Sequence, residues 1–232
     1  MRLRTVLSIT AASVVGAAGL AVAPLTFAAQ APANACPDVE VIGARGTTER
    51  PGLGVLLTPL ARQLTQDLPQ TVRTTAVDYP ANFNYTASVR QGVQALAGDI
   101  ADTAAECEDT KFVLMGYSQG ANVVGDALVG SSVRGRATGQ AAIPAELSDR
   151  VAAVLLFGDP TFTAGESFNA GTGTRNGIFS RGAGRLDTFA DRTQSFCNRN
   201  DQFCQGGTSL AAHLDYAKFA DDATEFVGQQ LG

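Results

Sequence analysis

One pentad constrains this chain more than any other feature: Gly116-Tyr117-Ser118-Gln119-Gly120, set between the apolar run Lys111–Met115 and a run in which Ala121, Val123, Val124, Ala127 and Leu128 recur at helical spacing. A G-x-S-x-G motif at a strand-to-helix junction holds its serine in a strained turn that only small neighbours permit. The serine Oγ is thereby lifted above a sheet, where a substrate can reach it. Ser118 is therefore read as a nucleophile.

The rest of the chain supplies the matching scaffold. Five extended runs, Val39–Gly43, Val72–Val77, Lys111–Met115, Val151–Phe157 and Arg192–Phe196, alternate with helical ones. This alternation predicts an α/β fold, a three-layer sandwich on a five-stranded, mostly parallel sheet. Leu53, Leu56, Leu57, Leu60 and Leu64 form one apolar helix face, and Val89, Val93, Leu96 and Ile100 form another. A third stripe, Tyr216, Phe219, Ala220, Ala223 and Val227, faces away from Asp215, Lys218, Asp221, Asp222 and Glu225, which predicts a last helix lying on the sheet. These stripes read as core. Thr163 to Thr188 breaks the rhythm with six glycines in residues 165–184. It is an excursion from the sheet, read either as a shaper of the substrate site or as a mobile surface insertion.

The ends of the chain and its charge narrow the setting. Arg2 and Arg4 precede an apolar run from Val6 to Val22 and a small-residue stretch ending Ala33-Asn34-Ala35, the pattern of a secretory signal peptide over residues 1–35. Residues 36–232 then amount to one domain's worth of chain. With 17 Lys+Arg against 22 Asp+Glu, the formal charge is −5, which argues against a nucleic-acid partner or an acidic membrane. No later segment is apolar for long enough to span a bilayer. Four cysteines in an exported chain imply disulfides, and the tight Cys197-x6-Cys204 spacing favours a local bridge that leaves Cys36 to pair with Cys107. A single His and no C-x-x-C pair argue against a metal site.

A serine hydroxyl needs a base, and the chain contains one histidine, His213, so an imidazole base is His213 by elimination. The residue that orients the imidazole must be a carboxylate, and Asp159, Asp187, Asp191 and Asp201 all lie between Ser118 and His213. Asp201 sits inside Cys197…Cys204, where a closed loop would fix a carboxylate more firmly than the turn carrying Asp159, and it is favoured. An oxyanion needs donors: the Gln119 backbone N–H at the helix start, and Thr47 in Ala44-Arg45-Gly46-Thr47-Thr48-Glu49, after the flexible Gly46. Arg45 and Glu49 read as a salt bridge holding that loop.

Together, Ala44–Glu49, Gly116–Gly120, the Cys197…Asp201…Cys204 loop, His213-Leu214-Asp215-Tyr216 and four matching cysteines resemble the cutinase family of serine esterases, in particular its actinobacterial members. The resemblance implies a small, lidless α/β-hydrolase-like fold, the triad Ser118, Asp201 and His213, an oxyanion hole of Thr47 and Gln119, and bridges Cys36–Cys107 and Cys197–Cys204. It further implies two apolar loops, Pro80–Tyr85 and Phe203–Ala211, whose Phe83, Phe203 and Leu210 contact the acyl chain. The long Gly-rich excursion and Thr at position 47 depart from the fungal pattern. The expectation is a secreted, monomeric, cofactor-free hydrolase of short- to medium-chain lipidic or polymeric esters. The alternatives are a polysaccharide deacetylase of the acetylxylan esterase type, an acyltransferase, and a cell-wall-associated binding protein with a vestigial site.

Overall fold

The computed structural model describes residues 36–133, 136, 137 and 139–232, so the leader expected at residues 1–35 lies outside the described residues. In chain order the elements are β1 (Val39–Ala44), α1 (Gly54–Asp67), β2 (Val72–Ala76), α2 (Tyr85–Glu106), β3 (Lys111–Tyr117) and α3 (Gln119–Val129). A short hairpin, β4 (Ser132–Val133) and β5 (Arg136–Ala137), then leads to α4 (Ala145–Ser148) and β6 (Val151–Phe157). The chain ends with β7 (Asn169–Gly171), a 3₁₀ turn Asp187–Arg192, β8 (Thr193–Cys197), α5 (Leu210–Leu214), a 3₁₀ turn Ala217–Phe219 and α6 (Ala220–Leu231).

The main sheet has six parallel strands in the order β2-β1-β3-β6-β8-β7. Five of them are the strands expected from the apolar runs. The sixth, β7, lies inside the Gly-rich excursion, where Asn169, Ala170 and Gly171 have neither alternation nor a β-branched residue. These three are held extended by pairing with Ser195, Phe196 and Cys197. Successive residues of a strand point to opposite faces. On β3, Phe112 and Leu114 therefore pack with Val89, Leu96 and Ile100 of α2 and with α3, while Val113 and Met115 pack with Leu57, Leu60 and Leu64 of α1 and with Ala223 and Val227 of α6. Both faces are dry, as a parallel sheet requires.

The expected last helix is broken in two. His213 lies in the short α5, and Tyr216 turns inward before α6 begins. Asn198 Nδ2 holds this break open, donating to the carbonyls of Ala212 and Asp215, each at 2.9 Å. The two disulfides are Cys36–Cys107 and Cys197–Cys204. On the chain-entropy model, closing a sequence separation of 71 residues contributes about 4 kcal/mol. Among the described residues, no helix is long and apolar enough to cross a membrane.

Strand order also decides where a ligand can bind. The chain moves from β1 outward to β2 and then returns to place β3 on the other side of β1. In such sheets the crevice opens beyond the C-terminal ends of the two strands where the direction reverses, here β1 and β3.

Away from that crevice, the buried Glu40 of β1 accepts from Arg73 at 2.6 Å, Thr75 at 2.5 Å and Thr103 at 2.6 Å, tying β1, β2 and α2 together. Asp99 of α2 shares that region without a hydrogen bond to its Oδ2. Burial, then the charges of Glu40, Asp102 and Asp78, push its carboxyl up to about 6. The native state thus keeps a proton that the unfolded chain releases near 3.8, and folding is penalised as pH rises from about 4 through about 6. Asp99→Asn should therefore stabilise the protein at pH 8 by about 1 kcal/mol, discounted for solvent contact, and leave it unchanged at pH 3.5. Thermal unfolding of both forms at the two pH values measures this.

Candidate active site

β3 is buried from Phe112 to Tyr117 and then turns sharply into α3. Ser118 occupies that turn at φ 55° and ψ −117°, outside the comfortable regions for an L-residue. Its N–H donates to the Phe157 carbonyl of β6 at 2.8 Å, and its carbonyl accepts from Ala121 and Asn122 at 3.0 and 3.3 Å, starting the helix. Both glycines of the pentad are sterically required. A Cβ on Gly120 would stand 1.9 Å from the Ala44 carbonyl oxygen, and one on Gly116 would stand 2.4 Å from that of Gly120. The first turn of α3 thus rests directly on the end of β1.

Three residues distant in sequence meet here. His213 Nε2 lies 2.9 Å from Ser118 Oγ, and its Nδ1 lies 2.8 Å from Asp201 Oδ2. Asp201 is wholly buried. Its Oδ1 accepts from the N–H groups of Phe203 and Cys204 at 2.6 and 3.0 Å, and its Oδ2 accepts a second bond, from the Tyr216 hydroxyl at 2.7 Å. Burial alone would raise its pKa, but the bond and charge of His213, the Tyr216 hydroxyl and the Phe203 amide outweigh it and hold the carboxyl below its ordinary value. An ionised Asp201 accepts from Nδ1–H, which leaves Nε2 as the acceptor for the serine proton. Asp159 takes no part. It is buried against the Thr161 N–H and hydroxyl at 2.8 and 2.6 Å, closing the turn after β6, and burial raises its carboxyl despite Arg181 and those two bonds.

The imidazole is held on every side. The Tyr117 ring stacks on it at 5.3 Å, and the Tyr117 hydroxyl donates to the His213 carbonyl at 2.9 Å. Phe203 meets it edge-on at 4.5 Å. A Cβ on Gly158, at φ +59°, would come within 3.0 Å of its Cε1.

Gln119 is the first residue of α3, so its N–H has no acceptor within the helix. Thr47, half-buried, lies on the loop after β1, and a Cβ on the adjacent Gly46 would stand 2.8 Å from the Tyr117 ring. That loop is not held by an Arg45–Glu49 salt bridge. The Glu49 carboxylate instead accepts from the N–H groups of Gly46 and Val55 at 2.6 and 2.7 Å. The Arg45 guanidinium donates to the carbonyls of Glu49 at 3.0 Å and Tyr79 at 2.6 Å. Unpaired backbone in the turn competes more strongly for these groups than they do for each other. Of the expected acyl contacts, Phe203 touches the imidazole, whereas Phe83 and Leu210 stand at the surface, 84% and 53% exposed. Among the described residues, no group of three or more His, Cys, Asp or Glu is placed to hold a metal ion.

Sequence reading overlooks two partners of the site. Tyr216 belongs by periodicity to a core stripe, yet a buried tyrosine needs a partner for its hydroxyl, and that requirement was the available signal. The Gln119 side chain, fully buried, accepts from Ser88 Oγ at 2.7 Å and donates to the Asn82 carbonyl at 3.0 Å, fastening the 80–85 loop to α3.

The comparisons with known proteins identify the family and the fold. The cutinase family model matches residues 35–231. A cutinase of Kineococcus radiotolerans is 44% identical over 143 residues, 61% of this chain, and the chain spans only 47% of that relative's length. Acetylxylan esterase 2 of Talaromyces purpureogenus is 33% identical over 225 residues, covering 92% of this chain and 95% of the relative. Among solved structures, an iodinated complex of acetyl xylan esterase superposes with a TM-score of 0.79 at 32% identity, covering 85% of this chain and all of that one.

Burial, and next the Asp201 charge, raise the Tyr216 phenol's pKa and keep it a donor. Tyr216→Phe removes a bond to a buried carboxylate and orphans the Asn198 N–H, which donates to the Tyr216 hydroxyl at 3.1 Å. It is expected to cost about 2 kcal/mol in denaturant unfolding at pH 7.

Proposed function

The chain belongs to the cutinase family of carboxylic ester hydrolases, and from that premise we propose that it hydrolyses short- to medium-chain acyl esters through an acyl-enzyme on Ser118. The observation that carries this reading is the unbroken line from Ser118 Oγ through His213 to Asp201, with contacts of 2.9 and 2.8 Å. Ser118 Oγ attacks the ester carbonyl while His213 Nε2 takes its proton, and Asp201 stabilises the imidazolium that forms. The Gln119 and Thr47 N–H groups receive the developing oxyanion, the Thr47 hydroxyl adding a further donor. Collapse of the tetrahedral intermediate breaks the bond to the alcohol, which leaves with the proton from His213. Water then repeats the sequence on the acyl-enzyme, freeing the acid and restoring the Ser118 hydroxyl.

Chain length follows from exposure. Phe83 and Leu210 face solvent, so a long alkyl chain laid along them would stay partly wet, and short to medium chains gain most per carbon. The protein acts as a secreted monomer after removal of residues 1–35, a setting supported by its two disulfides. The second reading is removal of acetyl groups from a polysaccharide. It is favoured by the near-complete alignment with an acetylxylan esterase and by the TM-score of 0.79 to a solved acetyl xylan esterase.

Hydrolysis of p-nitrophenyl esters from acetyl to palmitoyl, with acetylated xylan beside them, separates the two. The expected result is a maximum between butyryl and octanoyl, with Ser118→Ala at least about 10⁴-fold slower and fully folded. An active alanine variant would overturn the mechanism, and turnover confined to acetyl groups would establish the deacetylase.

A further inference from the structure

The Gly-rich excursion reads in sequence as a shaper of the site or a mobile insertion, and its central segment is firmly anchored. Gly177 and Phe179 donate their N–H groups to the carbonyls of Phe162 and Pro160 at 2.9 and 2.8 Å, and Arg181 donates to that of Thr161 at 2.8 Å. These acceptors lie a few residues beyond Phe157, whose carbonyl seats Ser118. The buried Arg181 side chain pairs with Asp126 of α3 and donates to Thr161 Oγ1 at 2.6 Å, locking the segment to the same helix that begins at the serine turn.

Two large apolar side chains ride on this anchored backbone. Ile178 donates its N–H to the carbonyl of Phe203, whose ring packs on His213, at 3.0 Å. The Phe179 ring lies 5.3 Å from that of Tyr85, where the 80–85 loop enters α2. The pair therefore joins the two loops expected to flank the crevice. Each side chain is nonetheless 47% exposed. Exposed apolar surface on an anchored segment that joins the two loops expected to flank the crevice has the character of a ligand wall.

We infer that Ile178 and Phe179 form a third wall of the groove and contact the acyl chain of the substrate beyond its first carbons, setting the preference for chain length. The inference rests on Ser118 being the nucleophile. The acyl group stays on Ser118 through both half-reactions, so a wall on the segment anchored to the turn after β6 acts on the part of the substrate that stays.

The test is kcat/KM for p-nitrophenyl acetate and octanoate in the wild type, Ser118→Ala and the double variant Ile178→Ser with Phe179→Ser. Each methylene kept from water is worth about fourfold, so losing the wall should lower the octanoate-to-acetate ratio about tenfold, with acetate turnover within about twofold of wild type. An unchanged ratio, or an equal loss on both esters, would overturn the wall. Wild-type turnover of acetate alone would do so as well. Failure of the underlying reading looks different: wild-type turnover that survives in Ser118→Ala. If the double variant unfolds, Phe179→Leu and Ile178→Thr apply the same ratio. These substitutions leave the backbone bonds intact, and the ratio must fall in at least one of them for the wall to stand.

Discussion

The first turn of α3 approaches the end of β1 so closely that no side chain fits between them, and the rest of the site depends on that approach. Gly120 lies against the Ala44 carbonyl, Gly116 lies against the turn itself, and Ser118 is forced to a positive φ between them. The strain is offset by the strands on either side. The Ser118 N–H is seated on β6, and the α3 helix beyond it is buried along almost its whole length. The same approach places the N-terminus of α3 beside the end of β1, at the point where strand order reverses.

The second constraint is the burial of charge. Asp201, Asp126 with Arg181, and Glu40 with Arg73 all lie in or at the edge of the core; Asp201 and Glu40 each accept from several donors, and Asp126 pairs with Arg181. A lone buried ion pair contributes little to stability, but it is costly to break and so fixes geometry. Around Asp201 this fixes the imidazole, since Tyr216, Asn198 and the Cys197–Cys204 bridge hold the carboxylate and the His213 loop as one unit. Around Arg181 it fixes the excursion. Family membership accounts for the shared parallel-sheet architecture.

Much of this was legible in the residues. Apolar runs with a period of two or of 3.6 located five of the six main strands and the principal helices, because burial on one face or both leaves a local pattern. The pentad identified Ser118, a single histidine left His213 as the only imidazole, and the closed cysteine loop favoured Asp201. The strand β7 was not legible, because Asn169-Ala170-Gly171 owes its conformation to β8 and not to its own propensity. Nor was the break before α6, where Tyr216 leaves a helical stripe to satisfy its hydroxyl on a carboxylate fifteen positions away in sequence.

Local pattern and residue chemistry thus determined, from the sequence by itself, the fold class and the candidate nucleophile and base. Tertiary structure decided which carboxylate meets the imidazole, that Arg45 serves backbone carbonyls rather than the Glu49 carboxylate, and that Ile178 and Phe179 reach the Phe203 carbonyl and the Tyr85 ring. The reason is physical. Periodicity and small-residue turns are imposed by nearest neighbours along the chain, whereas hydrogen-bond partners are settled by whichever groups the packed layers leave within reach.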